Sequence, residues 1–156
     1  MSAIENDPYD ELPYRSLPIE WTSPERLALA SLLHGGPRPS LDSYRVLELG
    51  CGNGANLLPL AYYRRHAEFV GVDGSQSAIA IAEARRAELG LANLEFVRSS
   101  FLSAGEKVQG KFDFVIAHGT WNLATSAREF RRAVHEAARA ARAGAALFVF
   151  TFSRNT

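Results

Sequence analysis

The sequence predicts an α/β fold built on a doubly wound, mainly parallel sheet. Three observations carry that prediction. Short apolar runs alternate with helical stretches from residue 44 onward. The runs are near-continuously apolar rather than alternating, as strands covered by helices on both faces are. Gly50, Gly52 and Gly54 follow the first run directly, at the first strand-to-helix turn.

Size and composition set the outer bounds. A chain of 156 residues suggests one domain, long enough to bury a real core. It is 47% hydrophobic and 22% charged, ordinary values for a globular protein. A formal net charge of zero gives no electrostatic reason to expect nucleic acid or an anionic membrane as partner. Cys51 is the only cysteine, which excludes an intrachain disulfide and a cysteine-rich metal site; no metal is expected. "MSAIENDPYDEL" is acidic and lacks the apolar core of a signal peptide. "AGAALFVFTF", the longest apolar run, is about half the roughly 20 residues a membrane helix needs. These features lead us to expect a cytoplasmic protein with neither membrane nor nucleic-acid partner.

The elements follow in order. Residues 1–22 form an extended arm, because Pro8, Pro13 and Pro18 restrict the backbone, and residues 23–156 form the domain. "TSPERLALASLLHGG" is a helix, with Ser23 as N-cap, Pro24 at its first position and Gly35 and Gly36 at its end. "YRVLELG" is a buried strand. "ANLLPLAYYRRH" is a helix that either kinks or starts late, because a mid-helix proline, here Pro59, costs about 3 kcal/mol. "EFVGVD" is the second strand, and "QSAIAIAEARRAELG" a helix ended by Gly90. "LEFVRS" and "KFDFVIAHG" are the third and fourth strands. "SAREFRRAVHEAARAARAG" is the clearest helix, with Phe130, Val134, Ala137 and Ala141 on one face and Gly144 at its end. "AALFVFTFS" is the fifth strand.

Ligands of open α/β sheets bind beyond the carboxyl ends of the strands, where strand order reverses. The three glycines stand there, and glycine lets backbone N–H groups approach a ligand with no Cβ in the way. Asp73 ends the second strand roughly 20 residues further on, where a carboxylate can accept hydrogen bonds from two vicinal ribose hydroxyls. Together they predict an adenosine-containing ligand. Gly50, Gly52 and Ala55 satisfy a nicotinamide-dinucleotide fingerprint only loosely. Glu48 favours another ligand: its carboxylate is badly placed for a pyrophosphate and suits a tail carrying an ammonium group.

"VLELGCGNGANLLPLA" resembles the first motif of the class I S-adenosylmethionine-dependent methyltransferases. "FVGVDGS", "LEFVRSSF" and "KFDFVIAHGTW" resemble the next three, in order and spacing over about residues 44–152. The resemblance implies a Rossmann-like core with strand order 3-2-1-4-5, S-adenosyl-L-methionine as cofactor and S-adenosyl-L-homocysteine as product. By the same resemblance, Glu48 and the turn from Gly50 through Cys51 and Gly52 to Gly54 hold the methionine part. Asp73 binds the ribose with Gly74 and Ser75 alongside, and Ser100 and Phe101 flank the adenine. Where the family often has an acidic residue, this chain has Ser100. His118 faces the sulfonium and the substrate, as a general base or as a positioning group. Tyr14 either closes over the cofactor or packs the arm on the domain. Trp121 is either a substrate wall or a cap on the core. The arm and "AHG" also resemble a bacterial subgroup, some members of which carry a methyltransferase regulatory domain.

The family fold continues past strand five with two more strands, whereas this chain ends three residues after "FVFTFS". We expect a truncated form or a strand-five edge covered by a partner, a homodimer among the options. The expected activity is methyl transfer to a small-molecule acceptor, such as a natural product. The alternatives are a non-catalytic cofactor-binding module, a protein methyltransferase and a nicotinamide-dependent oxidoreductase.

Overall fold

A computed structural model describes residues 16–151. Five parallel strands form one sheet in the order β3-β2-β1-β4-β5, as the family resemblance implied. They are β1 (Arg45–Leu49), β2 (Glu68–Asp73), β3 (Leu94–Arg98), β4 (Phe112–His118) and β5 (Ala141–Phe150). The order reverses between β1 and β4, so a crevice opens beyond the carboxyl end of β1.

Two apolar clusters cover the two faces of the sheet. On one face Val46, Phe69, Phe96, Phe114 and Ile116 meet helices α1 (Pro24–Leu33), α2 (Leu57–Tyr63) and α3 (Gln76–Glu88). On the other Leu47, Leu49, Val72, Val115 and Ala117 meet α4 (Ala104–Lys107) and α5 (Ala127–Ala140). The central strands are therefore buried on both sides, which is why they read as unbroken apolar runs.

Proline and capping explain the helix starts. Pro24 opens α1, where its missing N–H costs nothing. Ser23 holds the N-cap position, yet its side chain makes no capping bond. Helix α2 starts late, so that Pro59 falls in the first turn and interrupts no internal hydrogen bond. Ser75 and Ser126 do cap α3 and α5, accepting from the amides of Ala78 and Glu129.

Two expectations need correcting. The buried face of α5 is Ala133, Glu136, Ala137 and Ala140, the alanines in the second cluster and Glu136 against Gly105 of α4, whereas Phe130 and Val134 remain 42% and 38% exposed. Small alanines let the helix lie close to the sheet and push the larger side chains to the flank. In addition, α5 does not end at Gly144. It passes directly into β5 at Ala141, and Gly144 sits inside the strand, where the pairing with β4 is irregular between Phe112 and Phe114. The short helix α4 carried no sequence signal. Among the described residues no helix is long and apolar enough to cross a membrane.

Candidate functional site

The crevice is built on the turn between β1 and α2. The amides of Gly50 and Cys51 both donate to the Val72 carbonyl, at 2.7 and 3.1 Å, which ties the turn to the end of β2. Gly50 has φ +76°, and a Cβ there would lie 2.2 Å from Thr120 Oγ1. Gly54, also at φ +76°, would place a Cβ 2.6 Å from the Phe96 ring. Both positions thus need the left-handed region and have no room for a side chain. The outcome is a turn of bare backbone at the strand tips.

Glu48 lies under this turn, 3% exposed. Its Oε1 accepts a hydrogen bond from Asn56 Nδ2 at 2.8 Å. Its Oε2 is sealed from solvent and has no partner among the described residues. Burial pushes the carboxyl up to about 8; the Asn56 donor opposes that shift, and the charge of Asp73 adds to it.

Asp73 ends β2 and faces the same turn. Its Oδ2 accepts the Gly52 amide at 2.8 Å and its Oδ1 the Ser75 amide at 2.9 Å. The Ser75 hydroxyl caps α3 through the Ala78 amide at 3.1 Å, so its side chain belongs to the helix start. The Gly74 carbonyl accepts from Arg98 Nε at 3.4 Å. Cys51 turns its sulfur into the first apolar cluster, against Gly71, and burial drives its thiol well above the usual range. It therefore presents backbone, not sulfur, to the turn.

Beyond β3, Ser100 Oγ accepts the Leu102 amide at 3.2 Å, and Phe101 packs partly against the second cluster. His118 closes β4, with its ring stacked on Phe150 at a centroid distance of 4.6 Å and 8° between planes. Burial lowers the pKa of this imidazole below its ordinary 6.5. Trp121 is 5% exposed, packs edge-on to Phe130 and belongs to the second cluster, so of its two readings the structure supports the core cap. Tyr14 lies outside the described residues.

Three polar residues of the site escaped the sequence. Thr120 Oγ1 donates to the Leu49 carbonyl at 2.8 Å and fills the space that Gly50 leaves open. Asn56 and Thr22, both buried, connect Glu48 to the segment before α1. A threonine after a strand or an asparagine at a helix start is too common to stand out. Beside this network, and touching it at Asn56, a groove of about 400 Å³ bounded by Pro18, Ile19, Asn56, Pro59 and Tyr63 runs along α2, and neither the glycines nor Asp73 line it.

The likeness to known proteins agrees with this geometry. An uncharacterised protein of Rickettsia prowazekii is 41% identical over 118 residues, 76% of this chain and 21% of that one. A ubiquinone biosynthesis O-methyltransferase of Pseudomonas aeruginosa is 28% identical over 118 residues, 76% of this chain and 48% of that protein. The structure of PKMT2 from Rickettsia typhi in complex with AdoHcy superposes with a TM-score of 0.79 and 28% identity, covering 88% of this chain and 26% of that one. The chain thus spans less than half the length of these relatives. Residues 40–153 match the family model described as a methyltransferase domain, and with the crevice, the glycine turn and its two carboxylates in place, the chain belongs to that family of S-adenosylmethionine-dependent methyltransferases.

Proposed function

We propose that the chain binds S-adenosylmethionine above β1 and β2 and promotes methyl transfer to a small-molecule acceptor. One observation carries the reading: a sealed carboxylate with an unpartnered oxygen, Glu48, and a second carboxylate, Asp73, bracket one turn of bare backbone. A buried acceptor without a partner calls for a donor, and an ammonium group supplies one with opposite charge. The residues present therefore fit an S-adenosyl ligand.

When bound, that cofactor supplies an electrophilic methyl group; the acceptor's nucleophile takes it in line, and the bonding pair stays on sulfur. The protein's part is alignment. Glu48 holds the amino-acid end and Asp73 the ribose. The turn allows close approach, with Gly74 and Ser75 beside it. Ser100 and Phe101 flank the base. His118 stands on the acceptor side, where its lowered pKa keeps it neutral near pH 7 and able to take a proton from an oxygen or nitrogen nucleophile. A small, flat acceptor suits the exposed ring of Phe150 beside it. The similarity to a ubiquinone biosynthesis O-methyltransferase, which extends over 76% of this chain, supports the same class.

Calorimetry with S-adenosylmethionine, S-adenosylhomocysteine and NAD tests the cofactor, and binding of NAD alone would overturn it. Incubation of methyl-labelled cofactor with fractionated cell extract tests the acceptor. Label is expected among small molecules, and label confined to protein would overturn that part.

A further inference from the structure

Asn56 joins three parts of the molecule through one side chain. Its Oδ1 accepts the Ile19 amide at 2.8 Å, and its Nδ2 lies 2.9 Å from Thr22 Oγ1 and 2.8 Å from Glu48 Oε1. The assignment of oxygen and nitrogen is forced. The Ile19 N–H can only donate, so the oxygen must face it, and the nitrogen then faces Glu48. The Thr22 hydroxyl sends its own proton to the Ile19 carbonyl at 2.8 Å and is left to accept from Asn56. Asn56, Thr22 and Glu48 are 6%, 0% and 3% exposed, so water does not compete for these bonds.

We propose that Asn56 is the positioning residue for Glu48, holding one carboxylate oxygen so that the other is left for the ligand's ammonium group, and that it couples this arrangement to docking of the Ile19–Thr22 turn. The ligand's part in this rests on the S-adenosyl reading above, whereas the hold on Glu48 and the link to the Ile19–Thr22 turn stand without it. The amide proton that Asn56 donates to Glu48 favours the ionised carboxylate, which burial otherwise disfavours. Asp73 on β2 and Cys51 in the glycine turn are the titratable groups coupled to Glu48. Its partner in register on β4 is Ile116, and α2 and the Ile19–Thr22 turn present the uncharged Asn56 and Thr22. The segment before that turn also meets the crevice at Ser16, whose hydroxyl would lie 2.9 Å from a Cβ on Gly52.

The test compares wild type with Asn56→Leu, which removes the donor, first without ligand. Folded-state stability is followed by thermal unfolding across pH. Because the folded-state pKa of Glu48 lies above its unfolded value, its contribution is full below about 4.5 and is lost as pH rises through about 8. In Asn56→Leu that loss should extend to higher pH. A merely structural role would lower the melting temperature equally at every pH, and that result would overturn the proposal. Should Asn56→Leu not fold, Asn56→Ser, which shortens the side chain away from Glu48, gives the same comparison.

The second arm uses S-adenosylhomocysteine and calorimetry in buffers of different ionisation enthalpy. Wild type should release close to one proton on binding at neutral pH, and Asn56→Leu should still release it at pH values where wild type no longer does. Affinity at neutral pH should fall at least ~10-fold in Asn56→Leu but stay the same when Asn56→Leu is added to Glu48→Gln. An equal loss in both backgrounds would show that Asn56 does not act through Glu48. If wild type binds no S-adenosyl ligand, the proposed function fails, and the ligand-free comparison still decides whether Asn56 governs Glu48.

Discussion

Asp73 Oδ2 accepts the Gly52 amide at 2.8 Å, which fastens the end of β2 to the middle of the glycine turn. The residue proposed for the ribose thus also shapes the turn proposed for the rest of the ligand. A carboxylate has about four acceptor sites, so it can serve amides and ribose hydroxyls together. Asp73→Asn retains one acceptor and Asp73→Ala none. We expect S-adenosylhomocysteine affinity to fall about 10-fold in the first and at least ~100-fold in the second, measured by calorimetry, since hydrogen bonds to charged groups contribute about 1.5–3 kcal/mol each. Equal affinities in all three proteins would remove Asp73 from the site.

Glu48→Gln separates stability from binding. The amide keeps an acceptor for Asn56 and no longer buries a charge. Ligand-free Glu48→Gln should therefore melt above wild type near pH 8, and the gap should close as pH falls below 4.5, where wild-type Glu48 is protonated in both states. Ligand affinity should fall at the same time. A variant that melts below wild type at every pH would contradict the burial assigned to this carboxylate.

Gly54→Ala tests the close approach. The new Cβ would lie 2.6 Å from the Phe96 ring at a backbone angle of +76°. Left-handed backbone alone costs roughly 1–2 kcal/mol for alanine, and displacing Phe96 adds to it. Denaturant unfolding should show a loss of at least ~2 kcal/mol. Gly90→Ala is the control: its φ is +60°, but nothing lies within 4 Å of the new atom, so only the backbone cost applies.

His118→Gln keeps a polar group at the end of β4 but removes the imidazole. If His118 takes a proton, turnover should drop by about 10²–10⁴ with cofactor affinity unchanged. The wild-type rate should fall on the acid side below pH 6.5, because burial lowers this pKa and the neutral ring is the active form. A profile flat through that range, with turnover retained in the variant, would leave His118 only a positioning role.

The individual strands, the glycine turn and Asp73 were legible in the sequence because each is local: an apolar run, a cluster of glycines, an acidic residue at a strand end; the sheet order came instead from the family resemblance. What the sequence hid depends on distant partners. Asn56 is unremarkable in "GANLLPLA", and its meaning arises only when Ile19 and Thr22 arrive more than 30 residues away in sequence. The buried face of α5 was misread because periodicity weighs side chains by hydrophobicity, whereas contact with the sheet rewards small size. Phe130 and Val134 satisfy the first criterion, Ala133 and Ala137 the second. Trp121 left two readings open for a similar reason: its loop position suggested a ligand, and only its burial in the second cluster assigns it to the core.

Helix α5 enters β5 without a connecting loop, so the irregular stretch around Gly144 is the only slack between the end of the helix and the register that sets Phe150 beside His118. That stretch is an adjustable spacer. A two-residue change there would shift β5 by one side-chain repeat and set another residue beside His118 in place of Phe150, while leaving the glycine turn and both carboxylates untouched. On the proposed acceptor side, preference would then change independently of the proposed cofactor site.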